Sequence, residues 1–176
     1  MNAMRLRKSV KNNQIFPETK FFIIGKSPQK YGKYERELRV MVEQNDLRNI
    51  IFIGHRNDVP NVMRTIDVIV HASVEPDPYP NVVIEGMASG CAVIASKLGG
   101  PIEMIDDGNT GLLVEPGVPR LLADGISRLL SDGELRKRLG SAAKNSALSR
   151  WSIENNVREL EDVYVKILTQ QLLGVA

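Results

Sequence analysis

The sequence predicts an α/β fold, a doubly wound parallel sheet with helices on both faces. Short apolar runs rich in β-branched residues alternate with segments of helical spacing, which is the mark of a parallel sheet covered by helices. One of these runs, Ile66 to His71 (IDVIVH), has the composition of a parallel strand buried on both faces. No internal repeat or low-complexity linker divides the chain, so right-handed crossovers leave a doubly wound sheet as the simplest topology.

The elements follow in order. A helix is expected near 2–13, then a strand near 20–25 from FFIIG and a helix near 32–45. The apolar run IIFIG gives a strand near 50–53, and a helix near 59–65 leads to the strand at 67–71. Pro78 and Pro80 stop that strand from continuing. Pro80 suits the first helical position, so a helix runs over 80–89. CAVIA supplies the strand at 92–95, Pro101 opens a short helix over 101–105, and a strand follows at 111–114. Leu121 to Leu130 and Leu135 to Leu148 repeat at helical spacing, giving helices over 119–131 and 133–148. Trp151 precedes an amphipathic helix over 152–170, with Val157, Leu160, Val163, Tyr164 and Leu168 on or near one face.

At 176 residues, 43% of them hydrophobic and 25% charged, the chain is the size of one domain with one core. A net charge of +2 with interspersed signs gives no electrostatic footprint for nucleic acid. The N-terminal Arg5, Arg7, Lys8 and Lys11 fit a solvated helix face or peripheral contact with anionic lipid. No stretch reaches the roughly 18–20 apolar residues of a transmembrane helix, and no signal peptide pattern is visible. Cys91 is the single cysteine and reads as a small buried hydrophobe, with a cytoplasmic setting as the default. His55 and His71 have no metal-ligand spacing with Cys91 or a carboxylate pair, and no metal is expected.

The chemistry concentrates between Ser73 and Gly100. Asp77 and Glu85 stand on either side of a helix start, where the amides of Asn81 and Val82 lack intrahelical acceptors and could cradle a phosphate. A carboxylate at Glu85 can accept from the vicinal hydroxyls of a ribose, and one at Asp77 from hydroxyls of a sugar. The same two acids also fit a helix cap and a solvated first-turn carboxylate. Gly25 and Lys26 follow the first strand, Gly54 to Asn57 the second, and Gly99-Gly100-Pro101 the fourth. In a doubly wound sheet these loops share the crevice at the strands' carboxyl ends. Gly25 permits a tight turn, Lys26 could reach a phosphate, and the paired Gly99 and Gly100 let a loop pass close to a ligand. Glu103 fits a first-turn helix acid.

Asp77-Pro-Tyr79-Pro, Val82 to Gly90 (VVIEGMASG), Ala92 to Ser96, Gly99-Gly100 and Glu103 together resemble the signature of retaining GT-B glycosyltransferases that carry the E-x7-E motif (glycosyl transferases group 1). FFIIGKS, IIFIGHRNDVPNVMRTIDVIVHAS and DDGNTGLLVEPG extend the likeness over most of the chain in the family's order. The resemblance implies a Rossmann-like domain over 1–176, the C-terminal, donor-binding half of such an enzyme; its helix over 150–176 either crosses to an acceptor domain or closes on this domain's own core. It implies a UDP- or GDP-sugar held by Asp77 (transferred sugar) and Glu85 (ribose). Around them it places Gly25, Lys26, His55, Arg56, Tyr79, Asn81, Val82, Gly99, Gly100 and Glu103, with backbone near His55 and Arg56 reading the base.

The chain departs from the family pattern in two respects. Asp77 stands where glutamate is usual, while Glu75 is two positions out of register. No segment resembles G-R-x-x-x-x-K-G, whose arginine and lysine neutralise the leaving diphosphate; MRLRKSVKNNQ instead resembles the helix after that loop. The expectation is therefore a hexosyltransferase domain without its first strand, inactive alone. It would be completed by an N-terminal acceptor-binding domain in cis or on a separate chain, possess no cofactor of its own, and work in polysaccharide biosynthesis in the cytoplasm, either free or at the cytoplasmic face of a membrane. The other expectations are a non-catalytic nucleotide-sugar-binding subunit of a split enzyme and an interaction domain with a vestigial site.

Overall fold

A computed structural model describes residues 16, 18–25 and 32–172. Among these residues, five parallel strands alternate with helices: β1 (Phe21–Ile24), α1 (Gly32–Gln44), β2 (Ile50–Gly54), α2 (Val59–Met63), β3 (Val68–His71), α3 (Asn81–Ser89), β4 (Ala92–Ser96), α4 (Pro101–Met104), β5 (Leu112–Val114), α5 (Pro119–Ser131), α6 (Gly133–Arg150) and α7 (Ile153–Leu172). Every expected element after the first helix is present within one or two residues of its expected ends. The helix expected at 2–13 lies outside the described residues.

The strands form two parallel ladders, β1–β2 and β3–β4–β5. β4 is central to the larger one and all five of its residues are buried, as a run without polar alternation requires. Ile94, on β4, joins Leu129 of α5 and Leu139 of α6 in one buried cluster. Val93 and Ala95 point to the opposite side and join Val83 and Met87 of α3 with Met104 and Ala143. Helices therefore cover both faces of β4. Full burial of each Val, Leu, Ile or Met side chain in these clusters contributes about 1.5–3 kcal/mol.

Two side-chain devices fix the helices that frame the site. Asp132 caps α6, its carboxylate accepting from the Leu135 amide at 2.8 Å. The buried Cys91 thiol donates toward the carbonyls of Met63 and Ile66 at 3.1 and 3.2 Å, tying the approach to β3 to the start of β4. Burial, followed by the charge of Asp67, pushes that thiol's pKa up, in keeping with a packing role. On β1–β2, Phe22, Ile24 and Ile51 are exposed, while Arg39 of α1 lies 4.2 Å from the Phe52 ring centroid on the other face.

Between Ile153 and Gln170, α7 is exposed at every residue except Asn155. Its apolar face, including Leu160, Tyr164 and Leu168, does not close on the domain's own core.

Candidate functional site

The chain leaves β3 at His71, turns through a proline-rich loop and enters α3. Pro80 stands at the N-cap in extended conformation, one position earlier than expected, and Asn81 is the first helical residue. The reason lies in the backbone: the Pro80 carbonyl accepts the Val83 amide at 2.9 Å, so Pro80 closes the first turn from outside it. No hydrogen bond from the Asn81 or Val82 amide is found among the described residues, and both residues are exposed. The start of α3 thus offers two outward donors at the positive end of a nine-residue helix.

Asp77 is fixed by its backbone. It forms an isolated parallel bridge with Gly99, and its carbonyl accepts the Gly100 amide at 2.8 Å. The loops after β3 and β4 are therefore laid against each other, and the paired glycines are what allows it. A Cβ on Gly99 would stand 2.6 Å from the Asp77 carbonyl oxygen, and one on Gly100 would stand 2.3 Å from that of Pro78. The close approach that these glycines permit is filled by the neighbouring loop.

With its backbone held, the Asp77 carboxylate accepts the Tyr79 amide at 3.2 Å and does not cap α3. Its other oxygen lies 3.7 Å from His71 Nε2. The His71 side chain is only 10% exposed, Ser73 Oγ lies 3.4 Å from Nε2, and Nδ1 is buried without a partner among the described residues. Burial pushes the His71 pKa down, against the smaller upward pull of Asp77, so the imidazole is neutral near pH 7. Glu85 lies in the second turn of α3, exposed and without an ion-pair partner among the described residues. Glu103, on α4, is exposed, and its carbonyl accepts from Arg150 Nη2 at 3.2 Å. Tyr79 is 47% exposed and packs edge-on to Trp151, with ring centroids 6.0 Å apart.

A second group of residues sits where β1 and β2 end. Gly25 donates its amide to the Gly54 carbonyl at 2.8 Å, and both have positive φ, 128° and 81°. His55 Nε2 is 2.9 Å from Asn57 Oδ1. Arg56 is held by Asp58 through a two-pronged contact, Nε to Oδ1 at 2.7 Å, which raises the arginine pKa and lowers that of the carboxylate. No described hydrogen bond or ion pair joins Gly25, His55 or Arg56 to the group around Asp77. Lys26 lies outside the described residues. A groove of about 310 Å³ along α1, lined by Lys33, Arg36 and Val40 among others, includes none of these residues; its lining comes from a single helix.

His71 and Trp151 are the residues near the site that sequence reasoning did not select. His71 could have been found from its place at the carboxyl end of β3, just ahead of the Asp77 loop. Nothing in the sequence links Trp151 to Tyr79, because that contact exists only after α6 packs on α3. Among the described residues no group of three or more His, Cys, Asp or Glu could hold a metal ion, and no helix is long and apolar enough to cross a membrane.

The fold is a parallel α/β domain in which the loop after β3 enters a helix whose first amides are exposed, with one acid before that start and one after it. The chain belongs to the glycosyl transferases group 1 family, whose model matches residues 2–146. Among solved structures, HepE of Anabaena in complex with UDP-glucose is similar with a TM-score of 0.81 at 26% identity, over 85% of this chain and 42% of that one. The C-terminal domain of the group 1 protein LpcC from Francisella tularensis matches with a TM-score of 0.78 at 31% identity, over 86% of this chain and 78% of that one. The N-acetyl-alpha-D-glucosaminyl L-malate synthase of Bacillus anthracis is 27% identical over 157 residues, 89% of this chain and 40% of that protein. The chain thus spans about two fifths of the length of such curated relatives and corresponds to their C-terminal domain.

Proposed function

We propose that the chain binds the donor in a retaining hexosyltransferase that moves a sugar from UDP or GDP to a glycan or lipid-linked acceptor. The observation that carries this reading is the start of α3, where the free amides of Asn81 and Val82 lie between the loop-held Asp77 and the exposed Glu85. In this reading the amides hold a donor phosphate and stabilise charge developing on the leaving diphosphate. Glu85 accepts from the ribose hydroxyls, and Asp77, its backbone anchored to Gly99–Gly100, accepts from the transferred sugar. The Gly54–Asn57 loop approaches the base. The complexes of the similar HepE protein with UDP and UDP-glucose favour a uridine donor over a guanosine one.

The break between β1 and β3 supports a further part of the reading. In the doubly wound order 3-2-1-4-5-6, one strand lies between the two halves of the sheet. Placing such a strand here gives β2–β1–strand–β3–β4–β5, and we propose that polypeptide outside these 176 residues supplies it together with basic groups for the diphosphate. An acceptor domain on the exposed face of α7 completes the enzyme. The experiment is calorimetric titration of the purified chain with UDP, GDP and ADP. Saturable binding of one nucleotide is expected, weakened by about 1.5–3 kcal/mol in Glu85→Ala, the range for a hydrogen bond to a charged group. Binding that ignores Glu85 would refute the ribose assignment.

A further inference from the structure

The corner between α6 and α7 reaches both loops of the donor site through two adjacent residues. Trp151 meets the Tyr79 ring edge-on, 6.0 Å between centroids and 76° between planes, and Tyr79 lies in the loop that begins at Asp77. Arg150 sits 5.2 Å from the Trp151 ring centroid and donates to the Glu103 carbonyl on α4 at 3.2 Å. Those two loops are already joined through Asp77, Gly99 and Gly100.

The indole itself packs against the cluster containing Val83 and Met87. Its Nε1 is buried without a hydrogen-bond partner among the described residues. Buried indole N–H groups usually find an acceptor, which then fixes the ring. Among the described residues none does, so the ring's orientation depends on packing, and Tyr79 is a partly exposed aromatic wall against it.

We infer that Trp151 is a positioning residue of the donor site: it braces Tyr79, and through it the Asp77 loop, so that sugar-nucleotide binding and the packing of the α6–α7 corner are coupled. This rests on the donor-site reading given above. A bulky aromatic at position 151 holds the loop in the conformation that presents the Asp77 carboxylate. Ligand that orders the loop changes the surroundings of the indole in return.

Trp151 is the only tryptophan of the chain, so its emission isolates the corner. The test follows emission and heat together while the full chain is titrated with UDP-glucose and with UDP. A saturable change in Trp151 emission that tracks the calorimetric curve is expected. Trp151→Ala should weaken UDP-glucose binding by about two- to tenfold, the value of an aromatic pair, and Trp151→Phe should restore it. In the Tyr79→Ala background, Trp151→Ala should cost nothing further. A residue that merely fills the core would lower the melting temperature of Trp151→Ala and leave affinity unchanged, and that outcome overturns the inference. Should Trp151→Ala fail to fold, Tyr79→Ala decides, because Tyr79 is half exposed: an emission response to UDP-glucose undiminished in that variant also overturns it. Heat of binding without any change in Trp151 emission would sink the coupling and leave the donor site standing. No heat with either ligand would remove both.

Discussion

At the scale of single residues, the loop after β3 is held by backbone contacts with the loop after β4. Gly100 shows this most directly, since a Cβ there would stand 2.3 Å from the Pro78 carbonyl oxygen and 2.8 Å from its carbon. Backbone cannot yield as a side chain can, so Gly100→Ala should displace the Asp77 loop. The expected result is a loss of about 1–3 kcal/mol in thermal unfolding, accompanied by weaker UDP-glucose binding by calorimetry. His71 carries a pH dependence of definite sign. Its folded pKa lies below the ordinary 6.5, so between those values the unfolded chain binds more protons than the folded one. Its contribution is therefore complete above about pH 6.5 and is lost as pH falls through the folded value. Urea unfolding at pH 7.5 and 5.5 should show the chain destabilised by acid, and His71→Gln should flatten that part of the difference. An unchanged pH slope in the variant would rule His71 out as its source.

Elements are set by their sequences but joined by features too small to read there. The Pro80 N-cap, the Asp132 cap and the apolar run of β4 are each local signals, and each element stands where its signal lies. The packing of α6 on the end of α3 depends instead on Gly140, whose Cβ would lie 2.2 Å from the Gly90 carbonyl oxygen. In sequence Gly140 is only an unfavourable residue in a helix interior. Gly140→Ala should gain helix propensity yet lose stability, by about 1–3 kcal/mol, because the two backbones must separate. A higher melting temperature in that variant would show that the helices can slide apart without cost.

For the molecule as a whole, the parallel architecture was legible and its division was not. Alternating apolar runs and helices called for a doubly wound sheet, and the strands are all parallel with helices on both faces of β4. They close, however, into two ladders, with Val70 of β3 and Phe22 and Ile24 of β1 exposed. The apolar stripe of α7 likewise left open whether it would fold back, and in the structure it does not. From the chain's length relative to its relatives and from these surfaces we expect binding without transfer. Purified chain incubated with UDP-glucose should release no UDP above the rate of spontaneous hydrolysis, and measurable turnover would show that these residues suffice.

The sequence by itself determined what depends on near neighbours: strand and helix positions, the proline-marked entry to α3, and the acids on either side of it. It carried the family as well, because a motif is a pattern of short spacings. Only tertiary structure decided the contacts that cross the chain. The Asp77 carbonyl meets Gly100, Arg150 meets Glu103, and the lone tryptophan meets Tyr79, each after strands and helices far apart in sequence have packed. Such contacts are selected by shape and burial over the whole fold, and no local propensity encodes them.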